Sequence, residues 1–280
     1  MENIAYYNGE IDLIENTKIP LLDRAVYFGD GCYDALYSRN YRPYCLEPHI
    51  DRFISSASKI GIACPLSKSE LSALVDSLMH RCDSGDLFIY LQLSRGSAHR
   101  SHTYSDSIKP NLMITMTPRK IADTYVPEAC ITVPDTRFYH CDIKTIDLLP
   151  NVMAAQKASI SGAHEAIFYR ENGIVTEGSH SNVHAIIDGV FRTHPNGNLI
   201  LPGIARANIL RMCKKLGIPH SETPFTKEEL FTADEVMISS SGSFCVPVST
   251  IDGIKVGGRG GDILKSLQDA LVEDWLRETE

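Results

Sequence analysis

Between residues 177 and 206 the chain sets an acidic residue, a polar turn, a β-hairpin pattern and a helix-opening glycine one after another. The positions are Glu177-Gly178-Ser179, Asn182-Val183, Phe191, Thr193 and then Leu201-Pro202-Gly203-Ile204-Ala205-Arg206. A helix that starts near Gly203 offers unpaired backbone N–H groups to an anion. Glu177, a few turns of sequence earlier, offers a carboxylate. One molecule held at both ends explains an acid and an anion-binding turn set so close together.

The rest of the composition narrows the class. A chain of 280 residues can bury a substantial core as one large or two modest domains. Its net charge of −8 argues against a nucleic-acid footprint, which needs a basic face, but leaves room for a locally basic pocket. No apolar run approaches the roughly 20 residues of a membrane span. The opening Met1-Glu2-Asn3 lacks the basic and apolar regions of a secretion signal, so a cytoplasmic location is expected. Cys32, Cys45, Cys64, Cys82, Cys130, Cys141, Cys213 and Cys245 are scattered without a Cys-x-x-Cys pair, the pattern of reduced thiols. The histidines give no metal pattern: Arg100 separates His99 from His102, and the run around His180 and His184 is β-rich rather than helical.

Periodicity divides the chain into a smaller N-terminal α/β domain over 1–117, a polar, proline-containing linker over 118–126 and a larger domain over 127–280, with a ligand cleft expected between the two domains. In the first, Asn8-Gly9 marks a hairpin, and Tyr33 to Tyr37 with Tyr41 to Leu46 reads as another. Pro48 is expected to open an amphipathic helix carrying Ile50, Phe53, Ala57 and Ile60 on one face. A second helix follows Ser67, and Leu87 to Leu93 and Leu112 to Met116 are β-rich. In the larger domain, strands are expected over 129–133, 165–169, 183–187 and 235–239, and helices over 152–161, 203–216 and 262–276. The Gly257-Gly258-Arg259-Gly260-Gly261 run follows a short hairpin rather than a buried strand, so it reads as a turn before a helix capped by Asp262.

The order of residues from Glu177 to Arg206 resembles the signature of fold-type IV pyridoxal-phosphate enzymes, the class IV aminotransferases. The resemblance is nearly full length. It implies a mixed α/β, two-domain fold with pyridoxal 5′-phosphate as cofactor, Glu177 at the pyridine nitrogen and the Gly203 helix start at the phosphate. One departure is His184, where an aromatic residue usually follows Asn-Val.

Lys144, in Asp142-Ile143-Lys144-Thr145, taken alone reads as a surface residue. The segment resembles the family's Schiff-base lysine motif and precedes Glu177 by the family's usual interval, which implies that Lys144 is the catalytic amine. Lys157 and Lys59 fall on expected helices and are weaker candidates. Glu177 alone fits an ordinary turn; in the resemblance it keeps the ring nitrogen protonated. Arg52 fits either a surface pair with Asp51 or Glu47 or, by resemblance, a two-pronged grip on the phosphate. Backbone N–H groups of Ile204 and Ala205 and hydroxyls of Ser240 and Ser241 would join it, although the serine run fits an ordinary turn as well. Leu201 would lie against the pyridine ring; a core leucine after a hairpin is its alternative.

Tyr33, Arg100 and His102 bear on substrate. Arginine and histidine two apart on an extended loop point the same way, and both can donate to a carboxylate. D-amino-acid aminotransferases of the family carry this arrangement, completed by a tyrosine and lent by an adjacent subunit, so a homodimer is expected. Asp34-Ala35-Leu36-Tyr37 stands where members acting on branched L-amino acids continue with glutamate-glycine-x-arginine. The resemblance therefore implies transamination between D-amino acids such as D-alanine or D-glutamate and 2-oxo acids such as 2-oxoglutarate. An L-branched-chain aminotransferase and an aminodeoxychorismate lyase share the fold and remain alternatives. His180, where the D-specific enzymes usually have a serine, has an open role.

Overall fold

Leu87, Ile89, Leu91 and Leu93 alternate with half-exposed residues along β5 (Leu87–Ser94), the period of a strand with one buried face. β6 (Asn111–Pro118) repeats the pattern with Leu112, Ile114 and Met116 and pairs antiparallel to β5 along its whole length. These strands centre a six-stranded antiparallel sheet. The others are β1 (Ile4–Tyr7), β2 (Glu10–Asp12), β3 (Gly31–Arg39) and β4 (Arg42–Pro43), in the order β2-β1-β6-β5-β3-β4. The buried face packs on α2 (Leu46–Lys59) through Ile50, Phe53 and Ala57, and on α3 (Lys68–Met79) through Leu71, Val75 and Leu78. A short α1 (Arg24–Phe28) precedes β3, with Asp23 accepting the Ala25 N–H as its cap.

The computed structural model describes residues 1–280. This first unit comprises Met1–Ile121, Ile143–Asp147 and Arg277–Glu280; the second comprises Ala122–Asp142 and Leu148–Leu276. The chain therefore leaves the second unit for five residues, which include Lys144, and then returns to it.

In the second unit a nine-stranded mixed sheet runs β12-β11-β10-β13-β14-β7-β8-β9, with β15 added on β14. Its members are β7 (Glu128–Pro134), β8 (Glu165–Tyr169), β9 (Val175–Gly178), β10 (Asn182–Ile187), β11 (Val190–Thr193), β12 (His220–Ser221), β13 (Glu235–Ser239), β14 (Val246–Ile251) and β15 (Ile254–Lys255). β7 is parallel to β8 and to β14, and α4 (Leu149–Ile160) lies in the crossover from β7 to β8. β9 and β10 stand five strand spacings apart in this order, about 24 Å in a flat sheet. Four Cα steps, at most about 15 Å, join them through residues 179–181. The sheet must therefore curl back on itself, and the turn at 179–181 is under tight geometric control. α5 (Ile204–Leu216), α6 (Lys227–Thr232) and α7 (Gly261–Glu278) complete the unit's helices.

Local departures from the sequence expectations have physical reasons. α2 begins at Leu46, not at Pro48; a proline in the first turn removes only an N–H that had no intrahelical partner. The second run of the Tyr33 hairpin pairs only over Arg42–Pro43, because Cys45 turns left-handed (φ 53°) and starts the helix. α4 begins three residues earlier than expected, with Pro150 in its first turn. Asp262 lies inside the first turn of α7 rather than capping it. The Gly257–Gly261 amides have a protein partner: Glu235 Oε1 accepts from the N–H groups of Gly258 (3.0 Å) and Gly260 (3.2 Å). The helix expected after Ser67 is present with a full capping box between Ser67 and Glu70.

Phe53 is fully buried where α2 meets the sheet. Phe53→Ala is expected to destabilise the first unit by about 3–5 kcal/mol, measured by urea denaturation followed by circular dichroism.

Candidate active site

Glu177 is the third residue of β9 and is 5% exposed. Arg137 Nη1 donates to its Oε1, while Asn182 Nδ2 (3.1 Å) and the Leu201 N–H (2.9 Å) donate to Oε2. Arg137 is anchored on its other side by Asp135, which receives its Nε (3.0 Å) and Nη2 (2.9 Å). Burial opposes the charge on Arg137, but Asp135 and Glu177 outweigh it and hold the guanidinium protonated. Burial likewise opposes ionisation of Asp135, and its bonds from Arg137 and Thr176 push its carboxyl below the ordinary range. Glu177 thus sits as a carboxylate with an arginine behind it, a partner that sequence reasoning missed. Its only signal was a charged Asp-x-Arg directly after the apolar strand β7.

Asn182 links the carboxylate to the helix start. Its Nδ2 also donates to the Leu201 carbonyl (3.0 Å), and its backbone pairs with Ser239, the residue before the Ser240-Ser241 loop. A Cβ at Gly203, the N-cap of α5, would lie 2.0 Å from Asn182 Oδ1. Only glycine lets the helix start approach this closely. Ile204 and Ala205 are the first two residues of α5, and their N–H groups have no intrahelical acceptor. Ser240 Oγ receives the Gly242 N–H (3.3 Å) and contacts Ser243 Oγ (2.9 Å), a compact polar loop. The second unit therefore joins Glu177, Leu201 and Gly203 through Asn182, with Ile204 and Ala205 following in the first turn of α5 and Ser240 and Ser241 following Ser239.

A second buried carboxylate, Glu165, ties down the 179–181 turn. It accepts from the Ser179 N–H (2.9 Å) and hydroxyl (2.5 Å), the Ser181 hydroxyl (2.7 Å) and the His180 ring Nδ1, 3.0 Å away. Burial alone would raise its pKa; the His180 bond and charge and the two serine hydroxyls bring it down to about 2. His180 is thus a partner of Glu165. His184, fully buried on β10, lies 2.9 Å from Thr193 Oγ1 and 2.8 Å from Ser239 Oγ, so both ring nitrogens are satisfied in place of an aromatic ring. Burial lowers its pKa to about 3, which makes it neutral at physiological pH.

In the first unit, Lys144 runs as a short strip beside β3. The Tyr33 N–H donates to its carbonyl (2.9 Å), Cys32 bridges Thr145, and the Lys144 N–H donates to Ser56 Oγ (3.2 Å). Lys144 Nζ lies 4.4 Å from the centre of the Tyr33 ring, which stacks on Tyr90. Arg52 faces inward rather than pairing with Asp51 or Glu47, which are bound by Lys68 instead. Its Nε and Nη2 grip both oxygens of fully buried Asp34 (2.8 Å each). His49 Nδ1 lies 2.7 Å from the same carboxylate, and burial lowers the His49 pKa. His49, Arg52 and Ser56 fall at i, i+3 and i+7, one face of α2. Arg100 and His102 are exposed on a bent loop, and they share a direction because both pack on Phe28, with centres 5.3 and 5.4 Å away.

A phosphate-bearing pyridine fits these second-unit residues: a carboxylate backed by Arg137 for the ring nitrogen and a helix start that tolerates no Cβ for the phosphate. A family model described as amino-transferase class IV matches residues 31–251. The D-alanine aminotransferase of Bacillus licheniformis is 38% identical over 278 residues, covering 98% of this chain and 97% of that protein. That of Listeria innocua is 40% identical over 268 residues, covering 94% of this chain and 92% of its own. Among solved structures, the branched-chain amino acid aminotransferase of Escherichia coli superposes with a TM-score of 0.88 at 24% identity, covering 100% of this chain and 96% of that one. The fold IV transaminase of Curtobacterium pusillum gives 0.80 at 21% identity, with 92% and 93% covered.

Gly203→Ala is expected to displace Asn182 and weaken cofactor retention by on the order of tenfold, read from cofactor release during equilibrium dialysis. Glu165 is held below its ordinary 4.5, so its contribution to stability is complete above that pH and is lost as pH falls toward about 2. Glu165→Gln is expected to flatten the fall in thermal midpoint across that window; an unchanged slope would show that its ionisation carries no stability.

Proposed function

The chain belongs to the class IV aminotransferase family, and from that membership we propose that it transfers amino groups from D-amino acids to 2-oxo acids with pyridoxal 5′-phosphate as cofactor. The observation that carries the proposal is the Glu177 carboxylate, backed by Arg137 and joined through Asn182 to the segment that opens α5. Support for D-amino donors comes from the two D-alanine aminotransferases that match nearly the whole chain, and from Arg100 and His102 drawn together on one ring. The two solved structures, both below 25% identity, speak for the fold alone.

Pyridoxal 5′-phosphate, when bound, supplies an aldehyde that takes up the amino group and a ring that accepts the electron pair left at Cα. Glu177 would hold a proton at the ring nitrogen, with Arg137 keeping the carboxylate ionised. Gly203, Ile204, Ala205, Ser240, Ser241 and Arg52 would hold the phosphate, and Leu201 would pack on the ring face. Lys144 would hold the cofactor covalently between turnovers and carry the Cα proton during them. The Tyr33 ring beneath Nζ orients that amine, and Arg100, His102 and Tyr33 would bind the substrate carboxylate. We place this activity in a cytoplasmic homodimer; no helix is long and apolar enough to cross a membrane.

Purified protein supplied separately with D-alanine, L-leucine and aminodeoxychorismate is expected to form oxo acid from D-alanine only, and only with 2-oxoglutarate present. Turnover of L-leucine alone, or pyruvate release from aminodeoxychorismate without an acceptor, would replace the proposal with one of its rivals. Lys144→Ala is expected to lower kcat by about 10²–10⁴-fold. Borohydride should fix the cofactor on the Lys144 peptide of the parent protein; fixation on the same peptide in the variant overturns the assignment.

A further inference from the structure

The loop that carries Arg100 and His102 has no backbone-to-backbone hydrogen bond between residues 99 and 104. Its base is tied by the Ala98 N–H to the Leu22 carbonyl (3.0 Å) and by the Arg24 N–H to the Gly96 carbonyl (2.9 Å). Beyond that base the segment is held from beneath by side chains. Arg24, 3% exposed, donates Nη1 to the Ser101 carbonyl (2.6 Å) and Nη2 to the His102 carbonyl (3.3 Å). Its Nε donates to Asp30 Oδ2 (2.7 Å), and Arg95 Nε donates to both oxygens of the same carboxylate (3.0 and 2.9 Å). Arg95 in turn donates to the Ile60 and Gly61 carbonyls and lies 3.9 Å from the centre of the Tyr104 ring, at the far end of the loop. Phe28 receives Arg24, Arg100 and His102 on its ring, at 4.8, 5.3 and 5.4 Å.

We propose that Arg24, oriented by Asp30 and seated on Phe28, is a positioning residue that presents Arg100 and His102 to the substrate carboxylate. The proposal rests on Arg100 and His102 being the carboxylate grip. A planar fork can serve one carboxylate and two successive carbonyls at once, and fixing the carbonyls of residues 101 and 102 fixes the backbone on which both side chains ride. A compact ammonium on a flexible stem cannot reproduce that geometry. Bonds from Arg95 and Arg24 hold the Asp30 carboxyl below its usual range despite the opposing effect of burial.

The test compares Arg24→Lys, Arg100→Ala and the double variant as holoenzymes. Arg24→Lys is expected to raise the KM for D-alanine about tenfold with kcat within about twofold, the signature of lost carboxylate binding rather than lost chemistry. The double variant is expected to be no worse than Arg100→Ala, since both changes remove one interaction. Amide hydrogen exchange should rise at residues 99–104 and remain at parent levels in β5 and β6. A rise spread across the whole first unit, or additive effects in the double variant, makes Arg24 a stability residue and overturns the proposal. Arg100→Ala raising KM while Arg24→Lys leaves it unchanged also overturns it and spares the carboxylate grip. Local exchange rising while neither variant changes KM overturns the grip itself. If Arg24→Lys does not accumulate folded, Phe28→Leu, which keeps the Arg24–Asp30 pair, is read by the same measurements, with a smaller rise in KM expected.

Discussion

Glu177 is useful only as a carboxylate, and a carboxylate at 5% exposure is stable only with a cation at hand. Arg137 is that cation, and Asp135 is what keeps Arg137 in place. The remaining geometry of the second unit follows from this pair. With Oε1 taken by Arg137, Oε2 is left to orient Asn182 and the Leu201 N–H. Asn182 in turn reaches the Leu201 carbonyl and crowds Gly203, which fixes where α5 begins. Removing one partner of such a buried pair typically costs about 3–5 kcal/mol, because the other charge stays buried. The helix start at Gly203 is thus coupled mechanically to the Glu177 carboxylate.

The first unit applies the same principle around Asp34, whose carboxyl is held well below its ordinary range by Arg52 and His49 against the effect of burial. That carboxylate fixes the plane of Arg52 on one face of α2, and Ser56, one turn on, receives the Lys144 N–H. The strip bearing Lys144 lies beside β3 because Gly31 carries no side chain; a Cβ there would meet the Leu93 carbonyl at 2.5 Å and the Ile146 side chain at 3.1 Å. The segment Phe28-Gly29-Asp30-Gly31 then has three separate duties. Phe28 gathers the loop side chains, Asp30 pins two arginines, and Gly31 admits the lysine strip.

Strands and helices with strong periodicity were legible in the sequence: β5, β6, β8, β13 and the helix after Ser67 lie where their patterns put them. Element starts were less legible, as at Leu46 and Leu149, because an unpaired first turn tolerates proline anywhere within it. The expected site residues were named from the resemblance of the segments around Lys144, Glu177 and Gly203 to the family's motifs; alone, Lys144 reads as a surface residue and Glu177 as a turn residue. Their supporting partners could not be named in this way. Arg137 lies forty residues from Glu177, Asp34 eighteen from Arg52, and Arg24 seventy-seven from Ser101. Nothing local distinguishes a buried arginine of this kind from a solvated one. His184 shows the limit from the other side: a polar ring at an aromatic position becomes interpretable only when Thr193 and Ser239 are seen to satisfy both nitrogens.

Charge explains why an acidic chain suits anionic substrates. The net charge of −8 describes the whole surface, whereas an approaching carboxylate senses only charges within about a Debye length. Asp135 and Glu177 are matched by Arg137 and Arg170, and Asp34 by Arg52 with His49 kept neutral through burial, so each of these groups is close to balanced. Arg24 and Arg95 share Asp30, and buried Asp23 adjoins Arg24, so that group is close to balanced too, whereas exposed Arg100 sits on Phe28. The positive charge at the loop proposed to take the substrate carboxylate is therefore that of Arg100 itself, while the Asp34, Asp135 and Glu177 carboxylates are neutralised in place. An acidic exterior repels nonspecific polyanions, and an exposed arginine on the loop retains attraction for a small carboxylate.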